Sequence, residues 1–207
     1  MKERGILFSG PMVRALLDGS KTQTRRILKG PAWDSVEPSD KYPDEWVPWH
    51  NGESYHSLEC PYGVGGDRLY VKETWAAPHD CDAVKPTEMP GGTRIHYRAT
   101  WEGPSGLAWR PSIFLQRRFS RITLEITDVR VERLQDISEE DARAEGVKRR
   151  DILGVENYET ATSYVSTARR AFEELWDGIN GKRAPWLSNP WLWCLSFRRV
   201  ESKAVAA

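Results

Sequence analysis

The sequence is poor in cysteine and histidine and contains no long apolar run. Its 207 residues include 3 cysteines and 4 histidines. An odd cysteine count without a close pair argues against a disulfide framework and indicates a reducing compartment, so we expect a cytoplasmic protein. Apolar runs such as Ala15 to Leu17 are far shorter than the roughly 20 residues that cross a bilayer, and no secretory signal pattern is visible. We therefore expect no membrane partner.

The sequence also lacks a net charge, because 30 Lys and Arg residues balance 30 Asp and Glu residues. A neutral chain is not expected to coat nucleic acid by bulk charge. The charge is unevenly placed, however, since residues 1–30 carry a net +5 and residues 31–60 a net −6. The basic segment favours a confined site for a small anionic or polar ligand, or for a short nucleic-acid segment.

The hydropathy pattern predicts short strands with a few helices around them. The predicted strands cover residues 5–9, 21–28 after a polar turn, 67–75, 94–99, 120–134 and 191–197. Predicted helices run from Ser9 to Gly19, from Ser138 to Gly146 and over residues 163–178. Between Ile126 and Val129 the side-chain alternation changes parity, which predicts a bulge or bend. This mixture indicates an α+β protein built on a small closed or half-closed barrel.

The first candidate for chemistry lies where the first predicted helix ends. Lys21 and Thr24 follow the terminating Gly19, and their spacing can bring an ammonium and a hydroxyl group to one pocket. A lysine whose pKa is lowered by burial or by nearby arginines can act as a base toward that hydroxyl. The alternative interpretation is an ordinary solvated turn.

The second candidate is an acidic residue at the end of a predicted strand. Gly66 and Asp67 form a turn, a strand follows, and Glu73 stands where that strand ends, close to Trp75. A carboxylate that is partly desolvated there would have a raised pKa and could exchange protons. The alternative is an exposed glutamate.

Together the two segments resemble the ASCH domains of the PUA-like superfamily. The ASCH pattern Gly-x-Lys-x-x-Thr-x-Arg is met by Gly19, Lys21, Thr24 and Arg26. The opening Ile-Leu-Phe-Ser, the helix before the motif and the strand Gly-Asp-x-Leu-x-Val-x-Glu-Thr-Trp are similar as well, in the manner of bacteriophage and prophage members. The resemblance implies a PUA-like small β-barrel with two or three flanking helices.

A minimal domain of that family is about half as long as this chain, so the resemblance implies insertions. We predict a single domain over residues 1–207 with inserted loops at about 30–66, 76–93 and 146–162. The first insertion carries Trp33, Trp46 and Trp49, and we interpret it as an ordered loop because aromatic side chains need packing partners.

The resemblance also implies an activity. A small bacterial member of the family is an amidohydrolase that removes the acetyl group from N4-acetylcytidine with a lysine, a threonine and a glutamate. By motif and strand position these correspond to Lys21, Thr24 and Glu73, with Glu73 holding Lys21 or passing a proton to the leaving amine. The expected substrate is an N-acylated pyrimidine nucleoside or a related modified base, and no cofactor is implied.

Substrate binding is expected to involve a cation and a flat apolar wall. Arg26 would orient the site or contact a polar edge of the ligand. Phe8 and Trp75 are the candidates for stacking on the base.

The alternative function is an RNA-binding or modified-base-binding module, or a ribonuclease, that uses the same pocket. PUA-like barrels often bind RNA, and Arg117, Arg118 and Arg121 could contact the phosphates of a short single strand. A solvated basic face is the ordinary interpretation of such a cluster.

A metal site is the third possibility. His50, His56 and Cys60 lie within eleven residues, but their spacing is not that of a standard zinc site. We therefore expect no bound metal.

Overall fold

The computed structural model describes residues 1–30, 33–152, 155–160 and 164–200. Within these ranges the chain forms three α-helices: α1 (Gly10–Asp18), α2 (Glu139–Ala144) and α3 (Ala168–Asn180). The strands are β1 (Glu3–Leu7), β2 (Gln23–Ile27), β3 (Ser35–Pro38), β4 (Glu45–His50), β5 (Glu53–Ser54), β6 (Leu58–Glu59), β7 (Arg68–Lys72), β8 (Trp75–Ala76), β9 (His96–Tyr97), β10 (Thr123–Arg133), β11 (Arg149–Ile152), β12 (Val155–Glu159), β13 (Tyr164–Val165) and β14 (Trp191–Val200). The predicted α+β class is confirmed.

The main sheet has five strands in the order β1-β7-β10-β14-β2. β1 and β7 are parallel, with Leu7 opposite Lys72, and the other neighbours are antiparallel. Among the described strands this ladder ends at β1 and β2 and closes no barrel. The closed form of the predicted barrel is therefore not found, because no backbone ladder joins these two edges within the described residues.

A β-bulge interrupts β10, as the change of parity predicts. The register with β14 shifts between Ile126 and Asp128. An extra residue in one strand turns the following side chains to the opposite face. Ile126, before the bulge, is consequently buried in the main core, and Val129, after the bulge, is partly buried against the same core.

The first helix begins and ends as the sequence predicts. Ser9 is its N-cap residue in an extended conformation, although its side chain makes no capping hydrogen bond, and Pro11 lies in the first turn. Gly19 ends the helix in the left-handed conformation with φ of 84°, which residues with a Cβ rarely adopt. This ending directs the chain into the segment of Lys21.

The described part of residues 30–66 contains a small antiparallel sheet, so the prediction of a loop without strands is wrong. β3 pairs with β4, which also pairs with β5 and β6. Trp46 on β4 is buried against Trp193 of the main sheet, with ring centroids 5.0 Å apart and nearly perpendicular. In the sequence, the many Pro, Gly and Asp residues of this segment obscure the short alternation of buried and less buried side chains in β4. Burial of the aromatic side chains of β4 stabilises the strand.

The two later segments that we predict as insertions differ in their secondary structure. Residues 76–93 are mostly turns with one short 3₁₀ segment at His79–Cys81, as predicted, and the strand predicted over 94–99 shortens to β9, which pairs with β8. The described part of 146–162 contains β11 and β12, paired antiparallel, in place of a loop. These short strands are identified by their backbone pairing and not by an alternation of apolar and polar side chains in the sequence.

Buried side chains form three clusters in the described residues. The largest lies against the main sheet and includes residues of the Trp46 sheet. The second packs α3 against the opposite side of β14 through Phe172 and Trp176. The third consists of Trp75, Ala77, Met89, Leu115 and Phe119. None of the described helices has the length and apolar character that crossing a membrane requires.

Candidate functional site

Lys21 lies where the chain leaves α1 and meets the end of α2. A single antiparallel β-bridge pairs Lys21 with Glu145, and the Thr22 N–H donates to Ala144 O at 2.8 Å. The Lys21 side chain is fully buried, and its Nζ donates to both the backbone oxygen and Oε2 of Glu145, each at 2.8 Å. The amine is thus held in one position by a single residue.

Glu145 also binds a second cation. Its Oε1 accepts a hydrogen bond from Arg25 Nη1 at 3.2 Å, and Arg25 Nη2 contacts Glu132 and Asp141 at 3.1 Å each. Glu145 is only 4% exposed, so a desolvated carboxylate lies between two cations. Sequence reasoning did not find Glu145, and its one available signal is its place directly before the helix-ending Gly146.

Burial lowers the pKa of the Lys21 amine from its ordinary value. The charge and hydrogen bond of Glu145 oppose this shift, and the nearby charges of Arg26 and Arg25 add to it. A lysine with a lowered pKa is neutral at lower pH than an exposed lysine and can then accept a proton. The base character expected at this position thus has a physical cause here.

Thr24 lies in a cleft of about 210 Å³, which we call the Thr24 cleft. Its walls include Arg25, Arg26 and Glu145, side chains of α3 and Tyr62. Thr24 is 2% exposed, so it lies at the floor. Among the described residues its hydroxyl has no hydrogen-bond partner, which leaves it available to a ligand.

Phe8 lies beneath two of the predicted cations. Its ring centroid is 5.7 Å from Lys21 Nζ and 5.1 Å from the Arg26 guanidinium carbon, and it packs edge-on against Phe197. Arg26 Nη2 also donates to Leu7 O at 2.8 Å. Phe8 is 4% exposed, so the structure brings it together with Lys21 and Arg26 as a buried support.

Glu73 is buried but forms its ion pair elsewhere. Its two carboxylate oxygens accept from Nε and Nη2 of Arg121, each at 2.9 Å. Phe8 N donates to the backbone oxygen of Lys72, the last residue of β7, and Glu73 directly follows that strand. Within the described part of the chain, no hydrogen bond or ion pair joins Glu73 to Lys21. The partner that holds Lys21 is Glu145.

Trp75 and the predicted arginines serve internal packing. Trp75 is fully buried and stacks on Phe119, with ring centroids 6.2 Å apart. Arg117 pairs with Glu3 at 2.7 Å, and Arg118 donates to the backbone oxygens of Pro86 and Thr87. Arg121 is paired with Glu73. Neither Trp75 nor any of these three arginines lines the Thr24 cleft.

The metal candidates lie apart from one another. His50 is 3.8 Å from Asp34, His56 is exposed, and Cys60 is buried in the main core. Over the described ranges, no three His, Cys, Asp or Glu side chains are grouped as a metal ion requires.

No protein-family model, curated protein or solved structure matches this chain. The site is therefore interpreted from its own geometry and chemistry.

Proposed function

We propose that the protein is an amidohydrolase that acts on an N-acylated pyrimidine nucleoside or a related modified base, such as N4-acetylcytidine, and that its fold is a PUA-like ASCH fold. The observation that carries the proposal is the buried Lys21, whose pKa is lowered and which precedes the unpartnered Thr24 hydroxyl by three residues. Acyl transfer requires a base within hydrogen-bond reach of the nucleophile, and Lys21 Nζ, which contacts Glu145 and does not line the cleft, would have to reach the Thr24 hydroxyl from behind the cleft wall.

The proposed reaction proceeds in two steps. Thr24 Oγ1 attacks the acyl carbon while neutral Lys21 accepts the hydroxyl proton, and the exocyclic amine leaves as it gains a proton. Water then hydrolyses the threonine ester and releases the carboxylic acid. Arg26 lines the same cleft, and its positive charge would stabilise the developing oxyanion.

The structure changes the role assigned to each carboxylate in the proposal. Glu145 replaces Glu73 as the group that holds Lys21, because both of its Lys21 contacts measure 2.8 Å. Glu73 does not line the Thr24 cleft and is bound to Arg121, so proton transfer from Glu73 to the leaving amine would require both contacts to change.

The size of the cleft supports a small substrate. Pockets for drug-sized ligands typically enclose about 300–1,000 Å³, and the Thr24 cleft encloses about 210 Å³. A single base or nucleoside fits this volume better than a folded polymer.

The experiment measures cytidine release from N4-acetylcytidine by chromatography. Wild-type protein should release cytidine, and Lys21→Met and Thr24→Val should each reduce kcat/KM by about 100-fold or more. Lys182→Gln, an exposed charge removal outside the cleft, is the matched control and should retain wild-type activity. Absence of release by the wild type, or equal release by Lys21→Met, would contradict the proposal.

The pH profile distinguishes the two carboxylates. Since the charge of Glu145 raises the pKa of Lys21, Glu145→Gln should move the acidic limb of kcat/KM to lower pH. Glu73→Gln should leave that limb in place while it reduces the rate. If the acidic limb of kcat/KM moves in Glu73→Gln and not in Glu145→Gln, the carboxylate that controls the pKa of Lys21 is Glu73.

A second candidate function is a reader of modified nucleic acid, or a ribonuclease, at the same cleft. The observation in its favour is positive charge, since Arg26, Lys29 and Arg183 all line the cleft. Binding of a short single-stranded RNA that weakens steeply with salt, together with RNA cleavage and no cytidine release, would favour this alternative.

A further inference from the structure

We propose that the substrate of the Thr24 cleft carries a terminal phosphate, so that a nucleoside monophosphate binds in preference to the free nucleoside. This inference rests on the proposed function and names the substrate class of the same site. It is carried by the distribution of paired and unpaired charges around the cleft.

The floor of the cleft is electrostatically satisfied. Arg25 contacts three carboxylates, those of Glu132, Asp141 and Glu145. The Glu145 carboxylate is in turn occupied by Lys21 and Arg25. Among the described residues, each of these charged groups at the floor therefore has an oppositely charged partner.

The rim of the cleft differs from the floor. Lys29, just after β2, and Arg183, just after α3, both line the cleft and are exposed. Among the described residues neither side chain has a hydrogen bond, an ion pair or an aromatic ring contact. Two cations from distant parts of the chain therefore border one opening without a protein partner.

Arg26 adds a third uncompensated cation between rim and floor. Its Nη2 donates to a backbone oxygen, its Nε is buried without a partner, and no carboxylate in the described residues pairs with it. Arg25 is the fourth cationic side chain of the cleft, and because it is paired with carboxylates, the local excess consists of Arg26, Lys29 and Arg183. In a chain whose net charge is zero, this local excess indicates an anionic ligand.

The chemistry of the ligand follows from the order of these groups. A phosphate monoester carries a charge of about −1.5 to −2 at neutral pH and offers three strong acceptor oxygens. Lys29 and Arg183 at the rim can bind it, while the base extends toward Thr24 at the floor. The apolar side chains of Met12, Leu175 and Ile179 can contact the ribose and base between the two ends.

The test is calorimetric titration with cytidine and with cytidine 5′-monophosphate, at low and high salt. Wild-type protein should bind the monophosphate on the order of tenfold more tightly, as expected for a charge-assisted contact, and this preference should shrink with added salt. The double variant Lys29→Gln/Arg183→Gln should lose the preference. Both residues are exposed, and a circular dichroism spectrum equal to that of the wild type is the check that the variant folds.

Lys182→Gln is the matched control, because Lys182 is exposed and adjacent to Arg183 but does not line the cleft. It should keep the preference for the monophosphate. Equal binding of both ligands, a preference that survives in the double variant, or binding of neither ligand would overturn the inference. Much tighter binding of a short RNA through the same two residues would overturn it in favour of a polymer site.

The outcome is separable from that of the proposed function. Cytidine release from N4-acetylcytidine without a preference for the monophosphate refutes this inference alone. A monophosphate preference without release of cytidine from N4-acetylcytidine, or of cytidine 5′-monophosphate from its N4-acetylated form, refutes the proposed hydrolase alone.

Discussion

Lys21 Nζ lies 2.8 Å from Glu145 Oε2, although the two residues are 124 positions apart in the chain. The same amine donates to the backbone oxygen of Glu145, and Arg25 contacts the other carboxylate oxygen. The end of α1, the start of β2 and the end of α2 are therefore joined by one buried ionic cluster.

Replacing Glu145 with alanine should destabilise the protein by about 3–5 kcal/mol, because two buried cations lose a shared partner. The measurement is the free energy of unfolding from urea titration. Glu140→Ala, which replaces an exposed glutamate of α2, the helix that ends just before Glu145, is the control and should change that free energy by less than about 0.5 kcal/mol. Similar values for the two variants would mean that the cluster contributes little to stability.

Gly146→Ala should disturb the Lys21 site through packing as well as backbone strain. Gly146 has φ of 83°, and an added Cβ would lie 2.9 Å from Lys21 Cβ and 3.0 Å from Ala15 Cβ. Gly19 has φ of 84° with nothing within 4 Å, so Gly19→Ala isolates the backbone effect of about 1–2 kcal/mol. Gly146→Ala should be less stable than Gly19→Ala by roughly 1–3 kcal/mol.

The measurement for both glycine variants is thermal and urea unfolding under identical conditions. Equal destabilisation would show that the neighbours of Gly146 shift without penalty. Gly146→Ala should also reduce any activity that depends on Lys21, whereas Gly19→Ala should reduce it less.

Trp46→Ala tests whether the sheet within residues 30–66 belongs to the main core. Trp46 is 7% exposed and packs edge-on against Trp193, so its truncation should destabilise the protein by about 3–5 kcal/mol. Tyr42→Ala in the same segment removes a side chain that is 46% exposed and should have a small effect. If only local proteolysis near residues 35–60 increases while global unfolding is unchanged, the sheet is an independent appendage.

Acid should weaken the ionic cluster through Asp141. Burial alone would raise the pKa of Asp141, but a hydrogen bond from Gln23 and the charges of Arg130 and Arg25 outweigh it and hold the pKa below the ordinary value of 3.8. Because the folded-state pKa is depressed, the stability from this group is present above pH 3.8 and is lost as the pH falls through the folded-state pKa.

The pH prediction is measured as the stability difference between wild type and Asp141→Asn. Wild type should be the more stable at neutral pH, and the difference should shrink as the pH falls below about 4. Asp136→Asn removes an exposed carboxylate from the segment before α2 and should stay within about 0.5 kcal/mol of wild type. A difference for Asp141→Asn that does not change with pH would contradict the assigned interaction.

Local signals were sufficient for several elements. Pro11 and Gly19 mark the first and last turns of α1, and the structure has the helix between them. Ser138 caps α2 by accepting from Asp141 N, as a serine followed by an acidic first turn predicts. The parity change in β10 predicted the bulge. Each of these features depends on interactions between residues close in the chain, which a sequence displays directly.

Other features depend on contacts between distant segments. No residue near Trp46 in the chain indicates that Trp46 packs against Trp193. Trp46 lies on β4, a strand of the small sheet in the segment predicted to be a loop. Glu145 likewise has no local mark of its pairing with Lys21, and Glu73 has none of its pairing with Arg121.

The sequence by itself determined the α+β character, the helix boundaries around Gly19 and the choice of Lys21 and Thr24 as candidate reacting groups. Only the tertiary structure decided which carboxylate holds Lys21, which aromatic rings are buried and which cations remain unpaired at the Thr24 cleft. The physical reason is that propensity and periodicity act over a few neighbouring residues, whereas desolvation and ion pairing depend on which side chains the fold brings within a few ångströms.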